Sequence, residues 1–509
     1  MAMPSRKDLP DDPEVLKDRV LFLEMKLAKL EAEQRLARAE RFGASSERND
    51  HQDRLFDEAE QVVEQQVDTA EVIEVSAHVK RRPKRKPLPA DLPRQVIEHA
   101  PERTHCECGC ELERIGTKTS EQLDVIPAQV FVIEHRRGTY KCPRCEDAKP
   151  ETAPLPAQPI PKSIASPGLL AHVGVSKYAD GLPLYRQSAM FDRMGIDLSR
   201  QTMAGHMVAA GELIEPLIER MGQRLREYDI VQMDETRVQV LKEPNRPAKA
   251  QSWMWVMRGG PPRERINIFH YDQSRSSSVP IALLGDYEGY LQTDGYGAYG
   301  AITSKPAITG LGCWTHARRG FFKARKAMPK GKVGRPDQAL AFIGRLYLLE
   351  RQWRLLSPAQ RTECRQSEAR PILDDFAKWL AKQDVNPESL IGKAVRYARK
   401  EWPRLLVYLQ DGRLSIDNND VENAIRPFAI GRKAWLFSNT PTGATASANL
   451  YTLVESAKAN SVNPYAYLKY VFTRLPNAST DDDLDALMPW GIEPVELAAL
   501  LVPPTVRNL

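Results

Sequence analysis

The stretch Tyr228-Asp-Ile-Val-Gln-Met-Asp-Glu-Thr-Arg-Val-Gln-Val-Leu241 decides how the chain is read. With a period of two, Ile230, Gln232, Asp234, Thr236 and Val238 share one face of a strand, and Val231, Met233, Glu235, Arg237 and Gln239 share the other. Asp234 then sits mid-strand among apolar neighbours, where an ionised carboxylate is costly unless a cation or donor compensates it. The plainer reading puts it at a strand end, turned to solvent.

Three more apolar runs follow: Ser252-Trp-Met-Trp-Val-Met257, Ile266-Asn-Ile-Phe-His-Tyr271 and Tyr290-Leu-Gln-Thr-Asp-Gly295. A predicted helix near Ser278 to Leu284 precedes the last. Three strands on short connections, a helix and a further strand is the order found in ribonuclease-H-like folds. Asp294 closes the last run, and Gly295 after it would let a backbone or a phosphate come close. A third acid lies in Leu414-Ser-Ile-Asp-Asn-Asn-Asp-Val-Glu-Asn-Ala-Ile-Arg-Pro427. There Asp417 or Asn418 caps a short helix, Val421 and Ile425 form its buried stripe, Glu422 and Arg426 share a face, and Pro427 ends or kinks it.

Three acids on two strands and a helix can converge on a pair of divalent cations. One such metal lowers the pKa of an attacking water or 3′-hydroxyl; the other stabilises the leaving oxygen of an in-line phosphodiester displacement. Carboxylates suit Mg²⁺, a hard ion that keeps several waters. Acids are common, however, and Asp272, Asp286, Asp417 and Asp420 are rivals by spacing alone.

The flanks imply several modules, as 509 residues exceed what one core normally holds. Hydrophobic content of 42% and charged content of 27% are those of a globular protein, and the net charge of +5 does not by itself name a partner. With no apolar run of membrane length and no signal-peptide core after Met1, a cytoplasmic protein with no membrane partner is expected. Residues 13–42 read as a coiled-coil zipper, with Leu16, Val20, Leu23, Leu27 and Leu30 as its seam; the other reading is an amphipathic helix packed on its own chain. Residues 43–100 form an acidic, then basic linker ending in Lys80, Arg81, Arg82, Lys84, Arg85 and Lys86, a run suited to phosphate contacts.

Five of the seven cysteines fall in residues 101–150. Cys106, Cys108, Cys142 and Cys145 form a four-thiolate site for one structural Zn²⁺, with Cys110 and His105 as rival ligands. Residues 160–225 are helical and helix-turn-helix-like, broken at Gly195 and capped again by Ser199. The catalytic region spans 228–440 with a helical insertion at about 318–412, anchored by Trp353, Trp379 and Trp402, and residues 443–509 form a helical tail.

Over nearly its whole length the chain resembles the TnpC-type transposases of the insertion sequence 66 family. The resemblance is carried by Arg41-Phe-Gly-Ala-Ser-Ser-Glu-Arg48, Cys106-Glu-Cys-Gly-Cys110, Gln292-Thr-Asp-Gly-Tyr296, Cys313-Trp-Thr-His-Ala-Arg-Arg319, Asp417-Asn-Asn-Asp-Val-Glu422 and Gly431-Arg-Lys-Ala-Trp-Leu-Phe437. It implies a multidomain α/β protein with a ribonuclease-H-like catalytic core and an Asp-Asp-Glu triad, Asp234, Asp294 and Glu422, holding two Mg²⁺ or Mn²⁺. It further implies a zinc module that helps bind the terminal inverted repeats of a mobile element, and two small accessory proteins as partners. DNA contacts are expected from Arg318, Arg319, Arg426, Arg432 and Lys433, and self-association from the zipper. Cys313 and His316 form a C-x-x-H similar to one near the second Asp of several related transposases, which would bind displaced DNA; the other reading is core packing. The alternative function is a regulator derived from such an enzyme, binding DNA without catalysis.

Overall fold

A computed structural model describes residues 12–42, 96, 122, 129–140, 149, 151–329 and 331–501. The chain divides into two compact units, 71–156 and the remainder. In the smaller, Thr139–Tyr140 (β1) pairs antiparallel with Glu151–Thr152 (β2). The zinc-ligand candidates Cys106, Cys108, Cys110, Cys142, Cys145 and His105 lie outside the described residues, as do Lys80, Arg81, Arg82, Lys84, Arg85 and Lys86.

The larger unit begins with α1 (Pro13–Phe42), whose Val20, Leu23, Leu27 and Leu30 are each more than half exposed. This helix therefore does not bury its apolar seam on its own chain. Helices α2 (Pro167–Tyr178), α3 (Leu184–Arg193), α4 (Arg200–Leu213) and α5 (Glu215–Arg226) follow. The Ser199 hydroxyl caps α4 by accepting from Thr202 N at 3.1 Å.

A five-stranded sheet comes next, in the order β5-β4-β3-β6-β7. Strands β3 (Ile230–Gln239), β4 (Gln251–Gly259) and β5 (Ile266–Asp272) are antiparallel neighbours; β6 (Gly289–Gln292) runs parallel to β3, and β7 (Ile308–Leu311) parallel to β6. The helix α6 (Ser278–Leu284) joins β5 to β6. Two strand expectations need correction. The last apolar run ends as a strand at Gln292, leaving Asp294 on the turn beyond it, and β7 is an additional strand.

After β7 come α7 (Trp314–Lys326), α8 (Arg335–Gln352), α9 (Arg370–Ala381) and α10 (Leu390–Leu406). They enclose a second core around Trp314, which meets Trp402 edge-on at 5.8 Å and Phe376 at 6.1 Å. The chain then returns to the sheet with α11 (Asn419–Trp435), α12 (Pro441–Ala459) and α13 (Pro464–Arg474). Pro427 neither ends nor breaks α11, which runs 17 residues through it. Burying Val421, Ile425 and Phe428, at about 1.5–3 kcal/mol each, outweighs the roughly 3 kcal/mol that an internal proline costs.

The expected helical tail also needs correction: α12 is a central core helix, buried almost all round. Its hydroxyls close the edge of the sheet, because Phe269 N donates to Thr452 Oγ1 at 2.8 Å and Asn267 N to Ser456 Oγ at 3.0 Å. On another side Ala446 packs so closely on Gly211 that a Cβ there would lie 2.4 Å from the alanine methyl. Helices α2–α5 thus share one hydrophobic core with the sheet instead of standing apart as a separate module. Among the described residues no helix is long and apolar enough to cross a membrane.

One buried cation ties the second core to the loop that leads into α11. Arg365, in a π-helical turn, is 0% exposed and meets Glu350 through Nε and Nη2, both at 2.8 Å. The same guanidinium donates to the carbonyls of Tyr408, Asp411 and Leu414 at 2.7–2.9 Å. Arg365→Leu is expected to cost about 3–5 kcal/mol in urea unfolding, since it strands Glu350 and three carbonyls. A loss below about 1 kcal/mol would contradict this tie.

Candidate metal-binding active site

The parallel register of β3 and β6 pairs Ile230 with Tyr290, Val231 with Leu291 and Gln232 with Gln292. Asp234 and Asp294 each stand two residues beyond that last pair, at the same level of neighbouring chain segments. Gln232 and Asp234 share a face of β3 by alternation. On that face Gln232 Nε2 donates to Gln292 Oε1 at 2.8 Å, with both residues buried.

The two glutamines also recruit the third element. Gln292 Nε2 donates to the Ser415 carbonyl at 2.9 Å, and Gln232 Nε2 reaches the Asp417 carbonyl at 3.5 Å. Asn418, fully buried, donates through Nδ2 to the Met233 carbonyl at 2.9 Å, while its backbone N–H points at Cys313 Sγ, 3.3 Å away. Asn418 is thereby spent on β3 and makes no side-chain cap. Asp417 instead accepts from Asn419 N at 3.1 Å, and from Tyr347 and Thr315 hydroxyls at 2.9 and 3.1 Å. The result is that Glu422, in the first turn of α11, is carried to the ends of β3 and β6.

Gly295 has a specific neighbourhood. Its φ of +83° is one that side-chain-bearing residues rarely adopt, and a Cβ there would meet Tyr397 Oη at 3.0 Å and Glu401 at 3.1 Å. The group that comes close is therefore α10. Tyr397 donates to the Asp294 carbonyl at 2.7 Å, and Asp294 Oδ1 accepts from Tyr296 N at 2.8 Å. Arg404, paired with Glu401 at 3.0 Å, donates to Thr293 Oγ1 at 2.8 Å.

Electrostatically, two of the site's carboxyls are raised above their ordinary range. Burial holds the Asp234 carboxyl well above the usual carboxylate range, and the charges of Glu235, Glu422 and Asp294 push the same way. Burial also raises Glu422; Arg319 opposes this, and Asp417 and Asp294 add to it. Arg319 Nη2 lies 3.5 Å from Glu422 Oε2, but its side chain is half exposed. His316 Nδ1 lies 3.6 Å from Glu422 Oε1, and burial with Arg319 nearby pushes this imidazole down to about 4, so it is neutral at pH 7. Both of those atoms are buried without a hydrogen-bond partner in the structure. Desolvated carboxylates in one another's field, one with an unsatisfied oxygen, are the donor set that a hard divalent cation completes.

The tightest donor group of three among the described residues is Cys313, His316 and Glu422, whose ligand atoms all lie within 4.8 Å of one another. Asp234, Asp294 and Glu422 do not form so compact a set. A metal pair does not require one: ions about 4 Å apart, each about 2 Å from its ligands, span outer donors about 8 Å apart.

Glu235 was not singled out in the sequence, where it reads only as a member of the β3 face opposite Asp234. It is buried and held by Arg275 and by the Tyr299 hydroxyl, the latter at 2.6 Å. Arg275 is itself clasped between the rings of Tyr296 at 3.7 Å and Trp253 at 4.5 Å. Tyr296 and Tyr299 follow Asp294, so one aromatic segment holds both Asp294 and Glu235, the neighbour of Asp234. The tyrosine spacing after Asp294 was the available signal. Of the expected DNA contacts, Arg319 is exposed, Arg426 half-buried, Arg432 half-buried and Lys433 exposed. Arg318 departs from expectation: it is 7% exposed, packed 5.5 Å from the Phe322 ring, and faces the interior.

The family model described as transposase IS66 family matches residues 162–446, a stretch that contains all three acids. The chain belongs to the IS66 transposase family. Three further models of the same family match: the IS66 C-terminal element at 452–490, the zinc-finger binding domain of transposase IS66 at 103–146, and the one described as transposase C of IS166 homeodomain at 29–97. Similar curated proteins come from Sinorhizobium fredii (strain NBRC 101917 / NGR234). The uncharacterized protein y4qI is 34% identical over 435 residues, covering 81% of this chain and 79% of its own. The uncharacterized protein y4hP is 29% identical over 515 residues, covering 95% and 91%. The zinc-finger match encloses the five clustered cysteines and agrees with a bound zinc ion.

The raised Asp234 carboxyl gives a stability prediction for the metal-free IS66 chain. Its proton is held more tightly in the folded protein, so its contribution is complete below the ordinary pKa and is lost as pH rises through the raised one. Asp234→Asn should therefore stabilise the chain in EDTA at pH 8 by about 1 kcal/mol, with the gain shrinking towards pH 4 in calorimetry. A destabilised variant at pH 8 would contradict a strained charge.

Proposed function

We propose that the chain is a divalent-metal-dependent DNA transposase of the Asp-Asp-Glu type on a ribonuclease-H-like core. It binds the terminal inverted repeats of an insertion sequence, nicks the DNA and transfers the 3′-hydroxyl ends to target DNA. The observation that carries this reading is the common field of Asp234, Asp294 and Glu422, in which burial and the neighbouring carboxylates raise both the Asp234 and the Glu422 carboxyls. The fold assignment is supported by three antiparallel strands followed by two parallel ones, with the first strand central.

Asp234, Asp294 and Glu422 would hold two Mg²⁺ or Mn²⁺, which supply an activated water or 3′-hydroxyl and stabilise the leaving oxygen. The chain's part is placement. The Gln232–Gln292 pair fixes the level of the two aspartates, and Asn418 fixes where α11 begins. Tyr397 and Tyr296 hold the Asp294 turn by its carbonyl and its carboxylate. Arg319 stands beside Glu422 with its guanidinium half in solvent, where it can take a phosphate oxygen once Glu422 is engaged elsewhere. His316, neutral at working pH, adds no repulsion toward incoming cations.

The remaining parts complete the reading. Cys106, Cys108, Cys142 and Cys145 are proposed as zinc ligands, with Cys110 or His105 as substitutes, in a module that binds the element's ends beside Lys80–Lys86. The exposed seam of α1 pairs two copies of the chain, which brings two DNA ends together, and two small proteins of the same element assist.

The direct test is strand transfer from end-containing oligonucleotides to a plasmid, with Mg²⁺ or Mn²⁺. Asp294→Asn should lower joining about a thousandfold, as losing several kcal/mol of metal-held charge stabilisation implies, while end binding persists. Full joining by that variant would overturn the assignment; binding without any metal-dependent joining by the parent chain would favour the regulator.

A further inference from the structure

Where α11 ends, Arg432 and Lys433, already expected to meet DNA, belong to a larger surface that takes no part in the metal chemistry. A cavity of about 350 Å³ opens there, lined by Arg237, Lys249, Arg432, Lys433 and Leu436, and no carboxylate lines it. None of the four cations pairs with an acid among the described residues. Arg432 Nη1 is turned onto the Arg237 carbonyl, and burial together with the Arg237 charge lowers the pKa of Arg432. Cations gathered in a hollow at mutual cost are suited to an anion.

The rim is unusual in a second way. Leu436 has φ +66° and ψ −51°, and Phe437 N donates to the Trp435 carbonyl two residues back at 2.8 Å. This is a γ-turn of the strained kind, built on a residue that carries a side chain. Both ends of the turn are tied down. Leu436 N bonds the Arg432 carbonyl at 2.7 Å, and Ser438 and Asn439 run beside residues 239–242 with three backbone hydrogen bonds of 2.9–3.0 Å. The strain therefore has a visible outcome: Leu436 is 63% exposed and Phe437 43%. Two large apolar side chains are held in solvent beside four cations that meet no acid among the described residues.

Protein-binding surfaces are depleted in lysine at their centres, whereas cations with an exposed aromatic side chain match a nucleic-acid strand, phosphates to one and bases to the other. Position agrees. Arg432 Nη1 also reaches Thr236 Oγ1 at 3.4 Å, and Thr236 is two residues past Asp234 on the same face, about 7 Å along the strand. Leu436 lies fourteen residues past Glu422, about 20 Å along the helix. At about 3.4 Å per nucleotide step, the hollow and its rim sit roughly two to six nucleotides from the acids.

We propose that this surface grips an unpaired DNA strand a few nucleotides from the reacting phosphate, with backbone phosphates in the cationic hollow and bases against Leu436 and Phe437. The reacting phosphate belongs to the transposase reading; the strand binding stands without it.

The test uses the full chain in EDTA and reads fluorescence anisotropy on two DNAs of one sequence, a blunt duplex end and the same end frayed by a short mismatch carrying 2-aminopurine. The parent chain should bind the frayed end at least about tenfold more tightly, and its 2-aminopurine signal should change on binding. Phe437→Ala should lose about tenfold on the frayed end and little on the blunt one, with Phe437→Trp restoring it. Arg237→Glu with Lys249→Glu should weaken binding of both DNAs and flatten the salt dependence. Leu436→Gly guards against misfolding, because glycine takes the positive φ freely; it should keep the melting temperature yet reduce the frayed-end preference. Equal affinity of the parent chain for both ends, or no effect of Phe437→Ala, would overturn the proposal. So would loss of self-association as the only effect of Phe437→Ala, which would mark a protein interface. Asp294→Asn should keep the preference, so failure here and failure of the catalytic reading give different results.

Discussion

A single amide contact sets the level of the candidate site. Gln232 and Gln292 meet at 2.8 Å between two parallel strands, with no solvent to compete for either group. An unsatisfied buried amide costs about 1–3 kcal/mol, so a slip of register would leave both strands with unpaid polar groups. The spare hydrogens of the same two amides reach the Ser415 and Asp417 carbonyls. Register and helix placement are therefore one constraint. Whatever fixes Asp234 beside Asp294 also brings Glu422 to them.

Around that constraint the fold spends stability on charge. Asp234 is placed where its ionised form is unfavourable, and the other face of β3 carries Glu235, whose charge Arg275 answers. The contrast is informative. Glu235 has a guanidinium clasped between two rings and a tyrosine hydroxyl, the provisions of a structural ion pair. Asp234 has one backbone N–H, from Glu235 at 2.9 Å. Two adjacent acids on one strand thus have opposite surroundings, one satisfied by side chains of the protein and one with a single backbone donor. The helices after β7 contribute as buttresses: α10 holds the Asp294 turn through Tyr397, and Arg365 pins the loop before α11.

The sequence made the strands of strong apolar pattern legible and was weaker where packing overrides pattern. β3, β4 and β5 could be read from alternating or aromatic runs. β7 escaped notice because Ile308–Leu311 is four residues long and includes a glycine. α11 looked short because Pro427 argues locally for a stop, and only its buried face shows why it continues. α12 was read as a helical tail, and its core position was not legible because the groups that close the sheet edge, Thr452 and Ser456, are polar. By pattern the three acids were candidates among several rivals, and the family resemblance singled them out. Gln232 and Gln292, which position them, carry no chemistry of their own and gave no signal before the strands were paired, and Asn418 read only as a possible helix cap. The turn at Leu436 was equally silent, since nothing in Trp435-Leu-Phe437 specifies a positive φ.

The account stands on cations being the missing partners of these carboxylates, and anomalous diffraction from crystals of the full chain soaked in Mn²⁺ tests that directly. It predicts two manganese peaks about 4 Å apart, at least one bound by Asp234 and the pair reached by Asp294 and Glu422. Manganese absent from Asp234 and Asp294, or confined to the Cys313–His316 side of Glu422, would contradict it.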